Sequence, residues 1–146
     1  MKKKLQTALL ATVLLALPAC AEREKLIDVT KLPASAQEML KTHFAGKTIS
    51  FVKAERDGLS MDYDVIFDDG SAIDFSAKGA WEEINCRQGD IPAALVPEKI
   101  AKYVAEKYAT QKIRQIERRR RGYEIKLTNG LELKFNKQLQ FCGIDD

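Results

Sequence analysis

The chain repeats itself, and that repeat restricts its fold more than any other feature of its 146 residues. The stretch from Leu32-Pro33 to Phe44 matches Val96-Pro97 to Tyr108 at an offset of 64. Ile49, Val52 and Gly58 meet Ile113, Ile116 and Gly122 at the same spacing. The offset then falls to 60, where Tyr63, Val65 and Phe67 meet Tyr123, Ile125 and Leu127. Asp69-Gly70 then meets Asn129-Gly130, Ile73 and Phe75 meet Leu133 and Phe135, and Trp81 and Ile84 meet Phe141 and Ile144. The change of offset gives the first copy four extra residues, Leu59 to Asp62, in one turn. Similarity at a fixed period marks a duplicated structural unit.

Both copies read alike. A proline opens a helix, where its missing N–H costs nothing. Ala36, Met39, Leu40 and Phe44, repeated by Ile100, Tyr103, Val104 and Tyr108, form one apolar stripe at helical spacing. A strand is expected around 48–54 and 112–117. Next come the strict alternators Tyr63/Val65/Phe67 and Tyr123/Ile125/Leu127, the period of a half-buried strand. Asp69-Gly70 and Asn129-Gly130 suit tight hairpin turns. Return strands through Ile73/Phe75 and Leu131/Leu133/Phe135 follow, then final strands through 81–84 and 141–144. The expected fold is α+β: two tandem units of one helix and a four-stranded antiparallel sheet, together forming one wide sheet with helices on one face. The expected division is a signal peptide at 1–21, a first repeat at 22–85 and a second at 86–146, joined by a loop marked by Gly89 and Pro92.

The N-terminus reads as an export signal: Lys2, Lys3 and Lys4, an uncharged apolar run from Leu5 to Leu17, then small residues at Ala19 and Ala21. The run is shorter than the ~20 residues of a membrane span. Two processing patterns compete. Ala19-Cys20-Ala21 would release a soluble periplasmic or secreted protein, whereas Leu17-Pro18-Ala19-Cys20 resembles a lipobox that would anchor the chain through Cys20. A membrane is a partner only in the second case. The whole chain holds 24 basic and 21 acidic residues; loss of the three lysines leaves 21 of each. The basic excess therefore lies in the signal, and nucleic acid is not an expected partner. Cys86 and Cys142 remain, in a compartment that permits pairing, and the spacing leaves open whether they pair.

No residue set marks an enzyme. His43, the only histidine, borders the apolar stripe without a nucleophile or carboxylate motif beside it. Asp57, Asp62, Asp64, Asp68, Asp69 and Asp74 lack the alternation and closing glutamate of a calcium loop. Neither cysteine has metal-ligand spacing. No cofactor is expected. Arg118–Arg121 falls at a hairpin tip and reads as a solvated turn. Trp81 reads equally as a binding anchor or as shared packing, since its counterpart is Phe141.

The motifs Ile49-Ser-Phe-Val52, Tyr63-Asp-Val65, Asp69-Gly70, Phe75, Gly79-Ala-Trp81 and Ile84-Asn-Cys86 resemble the PepSY-like, beta-lactamase-inhibitor-like family. Val96-Pro97, Gly122-Tyr123-Glu124, Phe135 and the terminal Gly143-Ile-Asp-Asp146 extend the likeness through the second copy. The second copy departs from the first where Gln138-Leu139 replaces Lys78-Gly79. The resemblance implies a small exported bacterial protein with an open sheet face and no catalytic residues. The alternation places Asp64, Ile66, Asp74, Glu124, Lys126, Glu132 and Lys134 on that face, with Trp81 as a further contact. The expected function is a non-enzymatic binding module, inhibitor-like toward a peptidase or other hydrolase, whose partner is an unknown protein of the cell envelope. The alternative is a small-ligand or envelope-stress factor with a groove between the two units.

Overall fold

A computed structural model describes residues 23–145. The export signal, both processing patterns and Cys20 lie outside the described residues. Strand β1 (Glu24–Ile27) leads through a 3-10 turn (Val29–Lys31) to helix α1 (Ala34–His43). Strands β2 (Ile49–Asp57), β3 (Ser60–Phe67), β4 (Ala72–Phe75) and β5 (Trp81–Asn85) follow. A second 3-10 turn (Ala93–Leu95) precedes α2 (Glu98–Lys107) and strands β6 (Ile113–Arg119), β7 (Gly122–Leu127), β8 (Glu132–Asn136) and β9 (Phe141–Asp145). No helix among the described residues is long and apolar enough to cross a membrane.

These elements correct the expected architecture. The chain does not build two tandem helix-plus-four-strand units. It builds a single nine-stranded antiparallel sheet in sequential order from β1 to β9, with two short helices. Two features account for the difference. Strand β1 reads Glu-Lys-Leu-Ile and carries no alternation that would reveal it, yet it pairs with β2 from Glu24↔Glu55 to Ile27↔Val52. In addition, β5 bonds directly to β6 through Glu83↔Glu117, Ile84↔Ile116 and Asn85↔Gln115. Neither half therefore ends at its own sheet edge in the middle of the molecule.

One apolar row crosses all nine strands: Ile27, Val52, Val65, Ile73, Ile84, Ile116, Ile125, Leu133 and Ile144 are successive cross-strand partners. Both helices lie on that side, because Ala36, Leu40 and Phe44 of the first helical segment and Ile100 and Val104 of the second join the row in one core. Phe44 stacks on Phe67 with centroids 5.5 Å apart, and Tyr103 meets Phe135 edge-on at 5.4 Å. Burying such side chains against each other contributes ~1.5–3 kcal/mol apiece. Helix α1 starts behind Pro33, whose carbonyl accepts from the Ala36 and Gln37 amides.

The four extra residues of the first copy do not swell a turn. They lengthen both arms of the β2–β3 hairpin, which pairs from Ala54↔Tyr63 outward to Asp57↔Ser60; the β6–β7 hairpin closes at Arg119↔Gly122. Gly58 therefore occupies a turn whereas Gly122 lies in a strand. A Cβ on Gly122 would fall 1.9 Å from the Phe135 carbonyl oxygen. The altered turn of the second copy keeps the shape of the first. Leu139 takes φ 63° where Gly79 has φ 81°, and Asn136 holds the turn by accepting from the Gln138 and Gln140 amides. Among the described residues Cys86 and Cys142 are both free, the first buried and the second exposed.

Candidate functional site

Side chains alternate across a strand, so the row beside the core row must face away from the helices. It reads Leu26, Lys53, Asp64, Asp74, Glu83, Glu117, Glu124, Lys134 and Gly143 in order across the sheet. Five carboxylates thus stand on five adjacent strands, about 4.8 Å apart at the backbone, with lysines at both flanks. The next row on this face runs from Phe51 through Ile66, Ala72, Asn85, Gln115, Lys126 and Glu132 to Asp145. Of the residues expected on the open face, Asp64, Ile66, Asp74, Glu124, Lys126, Glu132 and Lys134 all lie in these two rows.

Trp81 does not. It is 7% exposed and belongs to the core side, where the Arg118 guanidinium lies 3.7 Å from its ring centroid and donates to its carbonyl at 3.2 Å. Arg118 and Arg119 consequently point to opposite faces. Arg119 bridges Glu117 and Glu124, each at 2.9 Å, while Arg120 and Arg121 form the turn. His43 lines a hollow with Lys47 and Asp90 at one end of the sheet, apart from both rows. There Lys47 pairs with Asp69 and, at 2.7 Å, with Asp90. Burial works against the Lys47 charge, yet bonds to the two carboxylates push its pKa up to about 12. The bond from Lys47 draws Asp69 down to about 2.

Charge on the open face is unevenly compensated. Lys53 reaches Asp64 at 3.4 Å and Glu24 at 3.6 Å. Lys126 pairs with Glu132, and Lys134 with Asp145. Asp74 and Glu83 have no ion pair among the described residues; Glu83 accepts one bond from Gln115 Nε2 at 2.8 Å. Burial, then the neighbouring charges of Asp64, Glu83, Glu117 and Glu82, raise Asp74 to about 7. Burial also raises Glu83 and Glu117, against the attraction of Arg119. A shallow polar hollow of about 170 Å³ lies over Gln115, Glu117, Arg119, Glu124 and Lys126.

Glu83, Glu117, Lys53, Leu26 and Phe51 were not expected on this face. Glu83 was hidden by a β-bulge between Asp74↔Glu83 and Phe75↔Trp81, which puts an extra residue, Glu82, into the strand and shifts its parity. The three-residue spacing of Trp81 and Ile84, both buried, is the signal that betrays such a bulge. Glu117 could be placed beside Glu83 only by knowing that β5 and β6 pair.

A line of carboxylates does not converge as a metal cage does. Among the described residues no group of three or more His, Cys, Asp or Glu is placed to hold a metal ion. Nor does the face bring a nucleophile to a base. It offers charge, hydrogen bonds and a small apolar corner on a hydrogen-bonded sheet.

The family described as “Putative beta-lactamase-inhibitor-like, PepSY-like” matches residues 61–142. A crystal structure from Bacteroides vulgatus, described as a “putative periplasmic protein” of the DUF2874 family, is 43% identical. It covers 86% of this chain and 99% of its own, with a TM-score of 0.81. A “putative calcium-regulated periplasmic protein” from Bacteroides thetaiotaomicron is 40% identical, covering 84% and 97% with a TM-score of 0.81. A second Bacteroides vulgatus structure, described as a “putative periplasmic protein of unknown function”, is 38% identical, covering 84% and 99% with a TM-score of 0.80. No curated protein matches.

Proposed function

The chain belongs to the PepSY-like, beta-lactamase-inhibitor-like family, and from that premise we propose that it is an exported, non-enzymatic binding module that engages a protein of the cell envelope through its open sheet face. The observation that carries this reading is the pair of polar rows spanning the sheet opposite both helices, where carboxylates and lysines stand in fixed register on a hydrogen-bonded platform. Such a surface needs little ordering on binding, which favours recognition of another folded protein. Export is supported by the periplasmic description of the three similar structures and by the Lys-rich, apolar N-terminal sequence. An inhibitor-like action on a hydrolase is the form that the family description suggests, and a peptidase is a further candidate target.

The test is affinity capture from envelope extract with the full mature chain, beside a variant with charges reversed at Glu124, Lys126, Glu132 and Lys134. Loss of a dominant partner from the variant supports the reading. Retention of every captured partner removes the β7–β8 half of the open face as the binding surface.

A small ligand is the second reading, and one cavity favours it. An apolar hollow of about 390 Å³ lies between α1 and the sheet, lined by Val29, Leu40, Phe44, Ile49 and Phe67. It belongs to the first half of the chain rather than to a groove between halves. Native mass spectrometry of protein isolated from its own envelope tests this: a bare polypeptide mass counts against a retained ligand.

A further inference from the structure

The open face changes character along its length. One corner toward its β1 edge is apolar, where Leu26 is 67% exposed and Phe51 42%, with the Lys53–Glu24 ion pair beside them. Phe51 stands opposite Ile66, and Leu26, opposite Lys53, is its diagonal neighbour. Both helices are on the other side of the sheet, so neither covers this patch. Exposed apolar side chains that gather rather than scatter offer a contact surface. Asp74, diagonal to Ile66, adjoins this patch, and Glu83 stands opposite Asp74 one strand further on, neither with an ion pair among the described residues. Farther along, Arg119 already shows how this sheet receives a guanidinium: it lies across the next pair of opposed carboxylates, Glu117 and Glu124.

Resting on the protein-binding reading above, we propose that the first half of the open face takes a partner segment that presents an arginine or lysine next to an apolar side chain. The cation lies between Asp74 and Glu83, and its apolar neighbour packs on Phe51 and Ile66. Two features favour this occupant. The central carboxylates lack the cations that Asp64, Glu117 and Glu124 have, so an incoming guanidinium supplies compensation that the chain does not. The apolar patch is adjacent, so one short segment reaches both. Partial burial strengthens each charge-assisted bond relative to open water. The same surplus of acid disfavours an anionic membrane or a nucleic acid on this surface.

The experiment titrates the full mature chain, isotopically labelled for amide NMR, with the peptide acetyl-Phe-Arg-Phe-amide and with its citrulline counterpart, which keeps the shape and removes the charge. Shifts are expected at Phe51, Asp64, Asp74 and Glu83, with citrulline weakening binding about tenfold, the worth of one charged hydrogen-bonded contact. Asp74→Asn and Phe51→Ser are each expected to weaken the arginine peptide about fivefold while the spectrum stays dispersed. Equal affinity of the two peptides, or shifts confined to β6–β9, overturns the proposal. Neither result touches the broader reading, which the reversals at Glu124, Lys126, Glu132 and Lys134 test on the other half. If Ca²⁺ alone produces the same shifts and displaces the peptide, the row is an ion site and the proposal also fails.

Discussion

The substitution Asp74→Asn should stabilise the protein, by an amount that grows as pH rises from about 4 to 7 and is absent below that range. Asp74 faces Asp64 on β3, Glu83 on β5 and Glu117 on β6, with Glu82 nearby, and Lys53 on β2 is spent on Asp64 and Glu24. Its pKa stands at about 7 in the folded chain against an ordinary 3.8. The folded state therefore holds a proton that the unfolded state has released, and stability falls as pH rises from about 4 to 7. About three pKa units correspond to at most ~4 kcal/mol. The carboxyl is only partly buried, and solvent screening reduces this to ~2 kcal/mol. An asparagine at this position keeps the shape without the charge. Urea unfolding should then show a gain of ~2 kcal/mol at pH 8, worth about 8 °C in Tm for a chain of this size. The gain should shrink through the range from 7 to 4 and vanish below it. A gain of equal size at pH 3.5 and pH 8, or none at pH 8, would refute the electrostatic account of the acid row.

Three further outcomes are expected. Ile84→Ala empties a fully buried position at the β5–β6 junction and should cost ~2–5 kcal/mol; circular dichroism and fluorescence should still report one coincident transition, because both halves share a core. Arg118→Met removes the guanidinium over Trp81, the one tryptophan of the chain; a loss of ~1 kcal/mol and a shifted indole emission should follow, whereas an unchanged emission would place Trp81 elsewhere. In the native protein a thiol reagent should modify Cys142 quickly and Cys86 only upon unfolding, since the first is exposed and the second buried; mass spectrometry of the labelled peptides reads the difference.

Within each half, most of the structure was legible because it is written in local periodicity. The stripe from Ala36 to Phe44 predicted α1, the alternation of Tyr63, Val65 and Phe67 predicted β3, and the glycines at 70 and 130 predicted hairpin turns, all of which are present. That same alternation put seven residues on the open face. What remained hidden was set by relations between distant segments. Strand β1 has too few residues to show a period, and its existence depends on the edge that β2 offers. The acid row is likewise invisible along the chain. Its five members are separated by between seven and 34 positions and become a row only through four strand pairings, one of them across the two halves.

Equivalent residues of the repeat show how far such relations override sequence. Ile84 and Ile144 are the same residue at the same point of their copies, yet Ile84 is fully buried and Ile144 is 47% exposed. Trp81 and Phe141 differ likewise, at 7% and 38%. The chemistry of the two strands does not explain this, because both carry a bulge at the same place and pair with the preceding strand in the same register. The difference lies in the neighbour. Strand β5 is closed on its far side by β6, whose Ile116 stands opposite Ile84 and whose Arg118 covers Trp81. Strand β9 has no such neighbour among the described residues. Ile27 supplies the corresponding closure for β2, opposite Val52, just as Ile84 does for β6, opposite Ile116. A repeated sequence thus specifies the strand and the side that faces the core. Burial is decided by what the next strand supplies, which is why two similar copies yield one asymmetric sheet rather than two units.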